Sequence, residues 1–73
     1  MADQIERLEN ELHALDARME TLRRRIWAVE HGLETVPDPE GVLAKLRAEF
    51  DAAGQSFTTT YRDWKREHAL AAE

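Results

Sequence analysis

The side chains best suited to proton transfer or metal ligation are three histidines, His13, His31 and His68, and two carboxylate pairs one helical turn apart, Glu30 with Glu34 and Asp63 with Glu67. Metal centres on helices are marked by His-x-x-x-His, or by the Glu-x-x-His of ferritin-like di-iron sites, because those spacings aim both ligands from one face. Neither motif occurs in this sequence. Carboxylate pairs one turn apart are routine on solvated helices, so no metal site is expected. The chain has no cysteine, which removes thiol nucleophiles, disulfides and cysteine-based zinc sites together. It also lacks a glycine-rich phosphate loop and a nucleophile motif. No catalytic residue and no cofactor is predicted.

The remaining chemistry is that of binding. Arg23-Arg24-Arg25, with Arg18, is the one local basic run and suits phosphate groups or an acidic partner. Consecutive residues on a helix point in different directions, so these arginines also read as solvated charges pairing with Glu20 and with the second helix. Trp27 follows the apolar Ile26 and therefore stands on the shoulder of its helix. It is either an anchor for a partner or the filling of a groove between paired hairpins. Phe50, Phe57, Tyr61 and Trp64 form an aromatic stripe whose helical spacing reads first as core. Tyr61 and Trp64, beside Arg62, Lys65 and Arg66, also have the make-up of an exposed stacking patch. Trp27, Tyr61, Arg23 and Arg24 are thus the candidate partner surface.

These residues are positioned by a regular pattern. Ile5, Leu8, Leu12, Leu15, Met19, Leu22, Ile26, Val29, Leu33 and Val36 succeed one another at spacings of three and four without a miss. Such a run is a heptad seam, and it predicts a helix from about residue 3 to about residue 35. Asp3 with Glu6 has the form of a capping box. Pro37-Asp38-Pro39 breaks the pattern, with a turn expected at 36–39. Asp38 suits the cap of a second helix and Pro39 its first turn. Gly32 is an alternative, earlier stop for helix 1, although the seam continues through Leu33 and Val36. Leu43, Phe50, Phe57 and Trp64 then recur every seven residues, with Leu46, Ala53 and Thr60 as a second column. Helix 2 is predicted from about 39 to about 70. It is read as continuous, with a break near 54–56 as the alternative, because glycine and β-branched residues there lower helix propensity.

Helix 1 starts acidic (Asp3, Glu6, Glu9, Glu11, Asp16) and turns basic (Arg18, Arg23, Arg24, Arg25). A parallel self-pairing would set Glu11 against Asp16 and Arg18 against Arg23. Folding back at the prolines instead predicts Arg62, Lys65 and Arg66 beside the acidic start, and Glu49 and Asp51 near the arginines. The same register brings Val29 to Leu46, Ile26 to Phe50, Leu12 to Tyr61 and Leu8 to Trp64. The predicted fold is all-α, an antiparallel helical hairpin forming one unit over residues 1–73. Two helices leave much of each seam wet, so two hairpins are expected to pair as a homodimer in a four-helix bundle, or one to dock on a helical partner.

Composition narrows the function. At 73 residues and without disulfides, the chain is short for a self-sufficient core. Its 42% hydrophobic content is nonetheless too high for a disordered tail. A net charge of -5 disfavours non-specific binding to nucleic acid or anionic membranes. No apolar run reaches the roughly 18 residues of a membrane span, and Met1-Ala2-Asp3-Gln4 does not read as a secretory signal, so a cytoplasmic location is expected. In length, central turn and seam the chain resembles the small plasmid-encoded hairpin dimers that bind paired RNA hairpins. It also resembles the short hairpin chaperones and needle subunits of type III secretion. It carries no motif particular to either family, so no residue roles transfer. The expected function is a non-enzymatic protein–protein interaction module: an adaptor, assembly factor or chaperone that binds itself and another protein. A nucleic-acid-binding hairpin dimer and a regulatory subunit of a larger enzyme are the alternatives.

Overall fold

The computed structural model describes residues 2–72 as two helices, α1 (Ala2–Glu30) and α2 (Pro39–Ala72), packed against each other. Met19 lies beside Gly54, Arg23 over Phe50, and Glu30 beside Arg47. Partners therefore descend along α2 as they ascend along α1, and the hairpin is antiparallel. It forms a rod of 54 × 15 × 14 Å, the length expected of the 34 residues of α2 at about 1.5 Å each.

The end of α1 corrects the predicted boundary near residue 35 and the predicted turn at 36–39. Helix 1 stops at Glu30, and residues 31–38 form the turn. Gly32 adopts φ +72°, a left-handed conformation that glycine enters without steric cost. The Leu33 N–H then donates to the Ala28 carbonyl at 2.8 Å, and the Gly32 N–H to the Val29 carbonyl at 3.3 Å. This pair of bonds is a Schellman cap, which satisfies carbonyls the helix would otherwise leave open. Leu33, placed in the seam by its spacing, therefore falls beyond the helix and is 70% exposed. Val36 is also outside the helix but folds back onto the core.

At the other end of the turn, Asp38 caps α2. Its carboxylate accepts from the Gly41 N–H at 3.2 Å, and its carbonyl accepts from the Val42 N–H at 3.0 Å. Pro39 occupies the first helical position, where its missing N–H costs nothing. The predicted Asp3 cap differs in detail: α1 already includes Ala2, so Asp3 sits inside the first turn, where its charge favours the helix dipole. Helix α2 runs unbroken through Gly54 and the threonines that follow. The hydroxyl of Thr58 donates to the Gly54 carbonyl, and that of Thr21 does the same to the Ala17 carbonyl in α1.

The core is thin. Leu8, Leu22, Val29, Leu46 and Ala53 are buried, and none is sealed below 2% exposure. Leu22, Val29 and Leu46 form its centre, with Ile26, Val36, Val42, Leu43 and Phe50 packed around them near the turn.

Candidate association face

The two seam columns of α1 have different environments. Leu8, Leu22 and Val29 are buried and Leu15 is half-buried, so this column points at α2. Ile5, Leu12, Met19 and Ile26 are all only half-buried. Helix α2 repeats the division: Leu46 and Ala53 are buried, while Leu43, Phe50, Phe57 and Trp64 remain half-open. The open columns lie on one side of the rod. Met19 shares a shallow recess with Phe50, Gly54 and Phe57, and Leu12 shares another with Phe57, Tyr61 and Trp64. Two helices in contact cover only one flank of each apolar stripe, which explains the face that is left.

Toward the termini this face is aromatic. Phe57 stacks on Tyr61 at 6.4 Å between ring centroids, Tyr61 on Trp64 at 5.8 Å, and Trp64 meets His68 at 5.0 Å. Tyr61 is 45% exposed, and the Lys65 ammonium lies 6.0 Å from its ring centre. The indole N–H of Trp64 is buried without an acceptor, the one such side-chain group among the described residues. An unsatisfied buried donor is a net cost to the isolated hairpin.

Trp27 stands on the shoulder of α1, 52% exposed and stacked on His31 at 4.3 Å. The Nδ1 of His31 lies 2.8 Å from the Trp27 carbonyl. Trp27, Arg23 and Arg24 line a shallow apolar recess. The four candidate surface residues are thus divided: Trp27, Arg23 and Arg24 sit near the turn, and Tyr61 is on α2 toward the open end. The His31 stack was not anticipated from sequence, although its four-residue spacing from Trp27 is a readable signal for stacking along a helix.

The arginine run pairs with Glu20 as expected, and the expected pairing with the second helix is what differs. Arg23 and Arg24 both pair with Glu20 of their own helix, at 3.0 and 3.3 Å, and Arg25 pairs with Glu34 of the turn at 3.4 Å. Arg23 also projects its guanidinium to 5.9 Å from the Phe50 ring centre. Among the described residues, the ion pair joining the helices is Arg47–Glu30 at 2.6 Å. Among the described residues, Glu49 and Asp51 do not pair with the arginine run, nor do Arg62, Lys65 and Arg66 pair with the acidic start of α1. Exposed charges gain too little from pairing to draw long side chains across a helix interface.

This arrangement suits non-covalent association. No polar or charged residue is buried among those described, and no three His, Asp or Glu side chains converge as metal ligands would. No helix is long and apolar enough to cross a membrane. Neither a family model, nor a curated protein, nor a solved structure gives a significant match to this chain.

Proposed function

We propose that this hairpin is a non-enzymatic, cytoplasmic protein–protein interaction module that self-associates through its open apolar face and acts as an adaptor, assembly factor or chaperone. The observation that carries this reading is the half-open column pair headed by Leu12, Met19, Phe50 and Phe57, all on one side of the rod. Its size supports the same reading. A compact monomer of 8.4 kDa exposes about 4,600 Å², whereas this chain exposes 5630 Å². The excess is larger than the roughly 800 Å² that each partner contributes to a standard interface. A second rod laid alongside removes surface of this kind and completes a four-helix bundle.

Trp27, outside the seam, then remains at the edge of the bundle as an anchor for a different protein. Sedimentation equilibrium at micromolar concentration tests the first part of the reading. The expected mass is that of a dimer of the 8.4 kDa chain. A well-folded monomer would remove its basis. Pull-down with the intact protein and with Trp27→Ala tests the second part: one stoichiometric partner is expected to be captured by the former and lost by the latter, with the dimer unchanged.

A further inference from the structure

We propose that two copies of this hairpin pair with their turns at opposite ends, α1 lying antiparallel to the partner's α1, and with the partner's Tyr61 seated on Gly54. This rests on the self-association proposed above and specifies its geometry. Two independent observations carry it.

The first is the unanswered charge of α1. Its first half holds Asp3, Glu6, Glu9, Glu11 and Asp16 against Arg7 alone, and its second half holds Arg18, Arg23, Arg24 and Arg25 against Glu20 and Glu30. Among the described residues, none of those first-half carboxylates takes part in an ion pair with α2. A helix acidic at one end and basic at the other is complementary to its own reverse. Reversal places Leu12 over the partner's Met19 and Ile5 over the partner's Ile26. It also sets Glu9 beside the partner's Arg23, twice by symmetry. Asp16 meets the partner's Asp16 at the axis, a single exposed repulsion that the two attractive contacts outweigh. Placing both turns at one end instead sets α1 against the partner's α2, where Asp63 and Glu67 offset Arg62, Lys65 and Arg66, so the acidic start is answered less fully than by the arginines of a second α1.

The second observation is Gly54. Glycine inside a helix costs about 1 kcal/mol relative to alanine, and nothing within the hairpin requires it. Its φ is not positive, and a Cβ built there meets only the Met19 methyl at 3.9 Å, an ordinary contact. Gly54 lies in a shallow hollow of the open face whose lining mixes Met19, Phe50 and Phe57 with polar side chains, among them Asp51, Thr58 and Arg62. In the antiparallel pairing the two-fold axis crosses α1 between Leu12 and Met19. The hairpin register carries that axis to Phe57 of α2, as the proximity of Met19 to Gly54 shows. Symmetry about Phe57 brings the partner's Tyr61 over Gly54. Tyr61 is half-exposed and braced by Phe57 and Trp64, so it enters the hollow with little side-chain entropy left to lose.

The absence of native cysteine allows single-cysteine variants to report the geometry directly. Asp16→Cys, next to the axis, is expected to sediment as a dimer and to convert to a disulfide-linked dimer under mild oxidation. If it sediments as a dimer but cross-links only when mixed with Tyr61→Cys, the opposite-end geometry is overturned while self-association stands. If the wild-type chain sediments as a folded monomer, both fall. Gly54→Ala supplies a separate check. It is expected to keep or raise helix content while weakening association roughly tenfold, the scale of overpacking at a close contact. Unchanged association would overturn the seating of Tyr61.

Discussion

The two halves of the rod use the same heptad spacing to different ends. Near the turn the facing residues are aliphatic. Leu22, Val29 and Leu46 close on each other, Val36 and Val42 cover them, and Arg47–Glu30 ties the helices beside them. Toward the termini the inward column of α2 is small, Ala53 followed by Thr60, and the large residues are the aromatic ones of the half-open column. Phe57, Tyr61 and Trp64 stack along α2, and Leu8 is the one large side chain among the described residues there that is buried. Side-chain volume accounts for the contrast. Leucine and valine fill the gap between two helices, whereas alanine and threonine allow a close approach and leave the bulk of the aromatic rings beside it on the open face. The turn half is built to hold one chain together, and the terminal half has surplus apolar surface for another.

That contrast can be broken most forcefully at Leu46, the most buried of the described residues. Leu46→Ala is expected to cost about 3 kcal/mol, the usual range for a leucine in a core that cannot fully collapse. Urea unfolding followed by circular dichroism reads this loss, and a loss below a third of that figure means the turn half is not the stabilising half. Phe57→Ala comes next. It should lower dimer affinity by about 2 kcal/mol while leaving the helical signal intact at high protein concentration, a separation that sedimentation and circular dichroism resolve together. Gly32→Ala is expected to cost about 1 kcal/mol through the strained φ it imposes. Its thermal midpoint should fall without any change in association, and a fall in association would tie the turn to the terminal half. The smallest effect is expected at Trp64. Replacing it with Phe removes the buried donor that has no acceptor, so the change in stability should stay within roughly 0.5 kcal/mol of zero. A large loss would show that the indole fills space that phenylalanine cannot.

Much of the fold is legible in the residues because a two-helix hairpin is specified by local signals. The seam, the proline break and the Asp38 cap each act within a few residues of themselves. The end of α1 shows the limit of such reading. Counting threes and fours carries the pattern through Leu33, but the count is blind to backbone dihedrals, and Gly32 turns the chain before Leu33 can take its place. The candidate site is legible in membership and not in orientation. Phe50, Phe57 and Trp64 belong to a helix stripe by spacing alone. Which flank of that stripe stays open depends on how α2 is rotated against α1, a property of the packed pair. The pairs within a helix are legible and those across the helices are not. The spacing to Glu20, one turn away, already names the partner of Arg23 and Arg24, whereas a pair across the interface depends on long side chains that gain too little on an exposed surface to be drawn there.

The turn itself has a kinetic consequence. Its two ends are locked by local hydrogen bonds, the Schellman pair at Gly32 and the carboxylate cap at Asp38, and the tightest cluster lies directly beside it. Contacts formed there close short loops, which cost the least entropy to bring together. The hairpin is therefore expected to zip from the turn outward and unzip from the termini inward. Amide hydrogens around Leu22 and Leu46 should exchange last, and those flanking Trp64 first. The aromatic ladder thus belongs to the part of the molecule that opens most often, and a second copy closing over it would act as a latch on the free ends of both.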